Sequence, residues 1–161
     1  MKRNMNILVC VAISFILLVG CGKEVNSNKI SDMELTTYET VNNFTDVTMT
    51  IKEETVSTTG LTVVFENNSD NHVIYGEYFS LEEKSNNKWY QVPVTIDGDY
   101  GFNDIGYNLT SGENEEFIVD WEWLYGSLHA GEYRIVKDIL DFRNTGDFDS
   151  YYVAAEFTIL N

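Results

Sequence analysis

The residues best equipped for chemistry in this chain are carboxylates. Asp97, Asp99, Asn103 and Asp104 fall within "TIDGDYGFNDIGYNLTSGENE", a stretch of about twenty residues between two alternating apolar runs. Connections of that length are uncommon in compact domains and often carry function. Their oxygens suit calcium, a hard cation that takes roughly six to eight such ligands. No glycine or terminal glutamate stands where an EF-hand loop requires one, so a solvated acidic loop is the competing reading. A second patch, "DFRNTGDFDSYY", offers Asp141, Asp147 and Asp149 with the same two readings. Paired carboxylates also serve glycoside hydrolysis, but nothing here marks a sugar cleft.

Nucleophilic chemistry has less to draw on. His72 and His129 are the only histidines, each in a turn, and no serine–histidine–acid arrangement surrounds either. "DGDYG" lacks the lysine and the strand-to-helix setting of a phosphate cradle. No cluster has zinc-ligand spacing. The expectation is a protein that is not an enzyme, with no cofactor and no metal.

Aromatic residues give the remaining lead. "DWEWLYG" brings Trp121, Trp123 and Tyr125 within five positions, and on a strand all three share one face. Facing outward, they form a stripe that stacks on glycan rings or docks a protein; facing inward, they are core.

Where such residues work depends on the first twenty positions. Lys2 and Arg3 precede "ILVCVAISFILLVG", an apolar run of about 14 residues, short of the roughly 20 that span a bilayer. A positive head, an apolar run and small residues follow the order of a secretory signal peptide. Leu18-Val19-Gly20-Cys21 resembles the lipobox of bacterial lipoproteins. That resemblance implies cleavage before Cys21, a diacylglyceryl group on its thiol, and a protein held by lipid on the extracytoplasmic face of the cell membrane. Cys10 would leave with the signal, so no cysteine remains for a disulfide, a thiolate metal site or a nucleophile.

Removing Lys2 and Arg3 changes the balance from 10 basic and 26 acidic residues, net −16, to 8 and 26, net −18. Such a surface repels nucleic acid, which is excluded as a partner; it has two readings, a solvating surface with no partner meaning, which is favoured, and one that attracts cations or basic partners. Three regions are expected: residues 1–20 as signal peptide, 21–45 as a flexible tether and 46–161 as the folded domain. Within the tether, a local turn or an added edge strand near Leu35 to Tyr38 is an open alternative.

After about residue 45 the apolar residues alternate with period two. Val47, Met49 and Ile51 share a face, as do Leu61, Val63 and Phe65, then Phe79 and Leu81, then Phe117, Val119 and Trp121. "WYQVPV", "GEYRIVKDIL" and "YYVAAEFTIL" complete about seven strands, with a bend expected at Gly76 and a hairpin turn at "SNNK". The reading is all-β: an antiparallel sandwich.

"SLHAGEYRI" looks like the tyrosine corner of immunoglobulin-like sandwiches, with Tyr133 as the corner, Leu128 as its packing partner and Gly131 between them. Together with "LE" at 81–82, "WYQVP" at 89–93, "LTSGE" at 109–113 and "GEYR" at 131–134, the chain from about 46 to 160 resembles the bacterial immunoglobulin-like domain of Gram-positive lipoproteins. The resemblance implies an immunoglobulin-like fold and an exported location, with no reaction and no established ligand. Lacking the disulfide of classical immunoglobulin domains, the sheets are expected to rely on Trp89, Trp121 and Tyr133. The function expected is a non-catalytic binding or accessory module at the envelope, its partner an unknown envelope protein or glycan. The alternative is a calcium-dependent or glycan-binding adhesion domain.

Replacing Cys21 with alanine is expected to move the protein from the membrane fraction to the soluble fraction. Membrane retention equal to that of the parent would rule out anchoring through this thiol.

Overall fold

A computed structural model describes residues 33–161. The signal segment and Cys21 lie outside the described residues. Among the described residues the chain forms nine strands: β1 (Val47–Ile51), β2 (Gly60–Asn67), β3 (Val73–Gly76), β4 (Ser80–Ser85), β5 (Lys88–Gln91), β6 (Gly106–Leu109), β7 (Asn114–Asp120), β8 (Gly131–Asn144) and β9 (Asp147–Ile159). One helical turn, α1 (Glu122–Tyr125), follows β7. Two antiparallel sheets make a sandwich. The smaller has the order β1-β2-β7, and the larger is built around β8.

β8 has 14 residues, enough to hold two neighbours end to end on one side. Its first half pairs β4, with Leu81 opposite Ile135; its second half pairs β3, with Tyr75 opposite Ile139. β5 extends the sheet beside β4, and β6 extends it beside β3. β9 pairs the other side of β8 along almost its whole length. The run expected as one strand with a bend at Gly76 is therefore two strands separated by residues 77–79. The long connection expected between β5 and β7 contains a further strand, β6. These two changes turn seven strands into nine.

The alternation in sequence becomes the core. Val47, Met49, Leu61, Val63, Phe65 and Val119 face Leu81, Ile135, Ile139, Val153 and Phe157 across the sandwich, all buried. Each such side chain contributes about 1.5–3 kcal/mol by leaving water. At the β4–β5 hairpin, Asn86 and Asn87 take φ of 50° and 60°, which suits the residue type and the twist of a two-residue turn.

Trp121, fully buried, stacks on Phe157 at 5.5 Å, and Phe157 stacks on Tyr133 at 5.7 Å. The Trp121 indole N–H donates to the Thr58 carbonyl at 3.0 Å, so its polar edge is satisfied. This three-ring stack packs between the two sheets, and the described residues contain no cysteine. Trp89 takes no part in it. It lies on the outer face of the larger sheet, 4.7 Å from the Arg134 guanidinium and 5.2 Å from the Lys84 ammonium.

Residues 34–42, which composition assigns to the tether, run as a strap across that outer face. Leu35 bridges Tyr90, and the Thr36 amide donates to the Trp89 carbonyl. The Tyr38 hydroxyl meets Ser80 Oγ at 2.9 Å, its ring packs edge-on against Tyr152, and Asn42 exchanges hydrogen bonds with Ala154. Beneath the strap lies a buried ion pair, Arg134 to Glu82 at 2.5 Å, with Thr36 Oγ1 accepting from the same guanidinium. The added edge strand left open near Leu35 to Tyr38 is here a single bridge, Leu35 to Tyr90, and the rest of the strap, held by widely spaced side chains, has no signal in composition.

Lys137 occupies the gap between β3 and β4. The side chain is fully buried, and its amine donates to the carbonyls of Gly76 at 2.7 Å and Tyr78 at 2.8 Å. The Phe117 ring lies 4.3 Å from the nitrogen. Burial lowers its pKa from the ordinary 10.5 to about 8, against the opposing pull of Asp138 and Glu77. A neutral amine keeps two N–H donors, enough for both carbonyls.

Between about pH 8 and pH 10 the unfolded chain keeps this proton while the folded chain gives it up, so stability rises with pH. Below that window the cost of burying the charge is fully present. Above about pH 10 the raised pKa values of the buried Tyr75 and Tyr125 act in the opposite sense. Urea unfolding is expected to show a rise of up to about 3 kcal/mol between pH 7.5 and 9.5, absent in Lys137→Met. An equal rise in the variant would assign it to another group.

Candidate functional site

The break between β3 and β4 also shapes the surface. At its centre, Tyr78 turns outward and is 44% exposed, while Phe79 turns inward and is buried. Residues 92–105, between β5 and β6, close over this point. The Phe102 ring meets Tyr78 and Phe79, each at 5.3 Å, and Trp123 at 5.5 Å, all edge-on. Thr95 ties the same loop to α1 through its amide and hydroxyl, both donating to the Leu124 carbonyl.

α1 explains the fate of the "DWEWLYG" aromatics. Asp120 Oδ1 accepts from the Glu122 amide, and the Trp121 carbonyl accepts from the amides of Leu124 and Tyr125, so the backbone coils as soon as β7 ends. In a strand, positions two apart share a face; in a helical turn they point about 200° apart. Trp121 therefore enters the core, Trp123 stands 43% exposed, and Tyr125 is buried. A shared strand face for these three is corrected to one ring out and two rings in.

The result is one end of the sandwich carrying Tyr78, Tyr100 and Trp123, each more than two-fifths exposed, with Tyr100 edge-on to Trp123 at 6.5 Å. Three grooves adjoin this cluster. One of about 430 Å³ runs past Tyr38, Tyr78, Pro93, Tyr100 and Tyr125. A second of about 410 Å³ is lined by Glu77, Tyr78, Phe102, Asn103, Asp104 and Asp138. A third of about 310 Å³ lies between Glu77, Phe102, Asn103, Asp120 and Trp123. Tyr107 donates its hydroxyl to Glu77, and that bond raises the phenol's pKa. Burial pushes the Tyr125 phenol up to about 12 and raises Tyr38 further, so both stay protonated hydrogen-bonding groups at neutral pH.

The residues singled out from sequence are distributed as follows. Asp97, Asp99, Asn103 and Asp104 are exposed along the 92–105 loop. Among the described residues no group of three histidine, cysteine, aspartate or glutamate side chains is arranged to hold a metal ion. In the second acidic patch, Arg143 binds Asp141 at 3.2 Å, Asp147 at 2.8 Å and Asp149 at 3.0 Å. His72 Nε2 meets Asn108 Oδ1 at 3.0 Å. His129 joins Glu83 through Nε2 and the Tyr133 hydroxyl through Nδ1, each at 3.1 Å.

The Tyr133 hydroxyl also donates to the His129 carbonyl at 3.1 Å. Leu128 is buried close by, its amide held by the Thr58 carbonyl. Gly131 leaves room for the phenol: a Cβ there would stand 3.1 Å from Tyr133 Cε2. These three residues shape the corner, and none of them lines the aromatic grooves.

Residues 43–158, more than half of the chain, match the bacterial Ig-like domain family. The chain belongs to that family. Its members are non-catalytic domains, and this bacterial Ig-like domain is accordingly a binding or accessory module by class. No curated protein and no solved structure matches it.

Sequence reasoning missed Tyr100 and Phe102 because both sit outside an alternating run, and Tyr78 because the run that contains it reads as one strand. The signal available was two aromatics flanking a glycine in "DYGFND" inside an overlong connection. Tyr100→Ala and Trp123→Ala are each expected to change unfolding stability by less than about 1 kcal/mol, whereas Trp121→Ala costs about 3–5 kcal/mol. Urea denaturation of the three variants checks the contrast, and equal costs would mean the exposed rings are structural.

Proposed function

We propose that this bacterial Ig-like domain is a lipid-anchored binding module of the cell envelope, and that it engages its partner through the aromatic end formed by residues 77–79, 92–105 and Trp123. The signal ending at Cys21 supports the anchor: cleavage after residue 20 would leave acyl chains on the mature N-terminus, and two or more chains hold a protein to a bilayer where one does not. Residues 21–33 then lead to the strap, and the sandwich stands off the membrane on the extracytoplasmic side.

One observation carries the location of the site. Tyr78, Tyr100 and Trp123 contribute large rings to one patch of surface while the core is closed without them. Exposed rings gathered beside grooves mark interaction sites, whereas scattered ones need no explanation. Tyrosine and tryptophan also suit binding because they offer much contact area and a polar tip at low entropic cost. A calcium-dependent adhesion domain is the less supported reading, because the acidic loop does not gather its carboxylates around a point.

A photoreactive residue at position 100, in the full-length protein in living cells, is expected to give a discrete adduct that Trp123→Ala removes. The same group at position 147, on the β8–β9 hairpin, is expected to give none. Identical adducts from both positions would refute the aromatic end as the binding site.

A further inference from the structure

We infer that the aromatic end takes a cationic ligand, an extended segment of a partner protein that presents lysine or arginine side chains. The inference rests on the reading of this end as the binding site and adds the chemistry of its occupant.

Charge complementarity is the first argument. From Trp89 to Tyr133 the chain contains no lysine and no arginine, while it carries nine carboxylates: Asp97, Asp99, Asp104, Glu113, Glu115, Glu116, Asp120, Glu122 and Glu132. This stretch supplies the 92–105 loop, β6, β7 and α1, and so most of the site. None of the three grooves is lined by a lysine or arginine. The cation beneath them, Lys137, is buried with its amine spent on the carbonyls of Gly76 and Tyr78. Away from this stretch, Arg143 answers three carboxylates on the hairpin and Lys84 answers Glu156; of the nine, Glu116 has Lys52 at 2.6 Å and Glu132 has Lys84 at 4.0 Å.

Chemistry of the lining is the second argument. The groove of about 410 Å³ combines Glu77, Asp104 and Asp138 with the Tyr78 and Phe102 rings. Asp138 lines the same groove, and its Oδ1 is buried with no hydrogen-bond partner. Ring faces attract cations through their quadrupole, and carboxylates beside them add charge-assisted hydrogen bonds. Anionic glycans and phosphate groups meet repulsion from every side.

The shape selects an extended ligand over a single small ammonium ion. The rings meet edge-on at 5.3–6.5 Å and do not enclose a box. The acidic groups are spread along grooves on both sides of Phe102, so several cations in a row find partners where one cannot.

The test uses the full-length protein in detergent and a short synthetic peptide of alternating lysine and serine, with the alternating glutamate peptide and a neutral chitin oligosaccharide as comparisons. Titration calorimetry is expected to show binding of the lysine peptide alone, weakened about tenfold between roughly 50 and 500 mM salt. Tyr78→Ala and Glu77→Gln are each expected to weaken it about tenfold, and Asp149→Asn on the hairpin to leave it unchanged. No binding of the lysine peptide would overturn the proposal, as would equal loss in Asp149→Asn, which means diffuse attraction to an acidic surface. Oligosaccharide binding that Trp123→Ala abolishes, without lysine-peptide binding, would overturn the cationic ligand while leaving the site in place. Lysine-peptide binding unaffected by Tyr78→Ala and Trp123→Ala would overturn both.

Discussion

A buried amine sits where the larger sheet is interrupted. β8 is long enough for two strands on one side, and the chain supplies them as β3 and β4 with residues 77–79 between. At that interruption the carbonyls of Gly76 and Tyr78 lose the ladder partners that a continuous strand would have offered. Lys137, projecting inward from the middle of β8, donates to both. Orphaned buried carbonyls are costly, and so is a desolvated ammonium. Their pairing, with the Phe117 ring 4.3 Å from the nitrogen, offsets much of each cost, and burial lowers the pKa of the amine to about 8. The break then persists as a fixed feature, and it is the break that turns Tyr78 outward, seats Phe79 in the core and leaves Glu77 to meet Tyr107.

The outer face of the same sheet shows a different solution to buried charge. Arg134 and Glu82 pair under the strap, with Trp89 and Thr36 completing the surroundings of the guanidinium. A pair of this kind adds little net stability compared with apolar residues of the same shape, but removing one partner strands the other. Its effect is to fix where the strap lies, since a shifted strap would expose the pair unevenly and lose the Thr36 contact. With that face covered by residues 34–42 and the interior filled, the aromatic end remains as the surface where large rings meet water together.

Much of the fold is written in the period of the sequence. Val47-Met49-Ile51, Leu61-Val63-Phe65 and Val153-Ala155-Phe157 alternate cleanly, and each lies inward on its strand. The Asn86-Asn87 turn was equally readable, because it depends on local backbone chemistry, whereas the bend expected at Gly76 is the end of β3. The site was harder. Alternation implied that Trp121, Trp123 and Tyr125 share a face, and the helical turn that begins one residue after the strand's end cancels that, with Asp120 Oδ1 accepting from the Glu122 amide. β6 is four residues long with mixed burial, too short to show a period. Lys137 looks like an ordinary polar position in "YRIVKDIL", since only the tertiary arrangement places two free carbonyls opposite it. The family match at residues 43–158 adds the class of domain and leaves the ligand to the chemistry of the surface.

Hydrogen–deuterium exchange on the full-length protein, parent against Lys137→Ala, tests most directly whether this amine holds the break and the aromatic end in place. The account predicts faster exchange in residues 76–80 and 92–105 of the variant, with the β8–β9 hairpin tip unchanged. Unaltered exchange at residues 76–80, or an increase spread evenly over the whole sandwich, would contradict it.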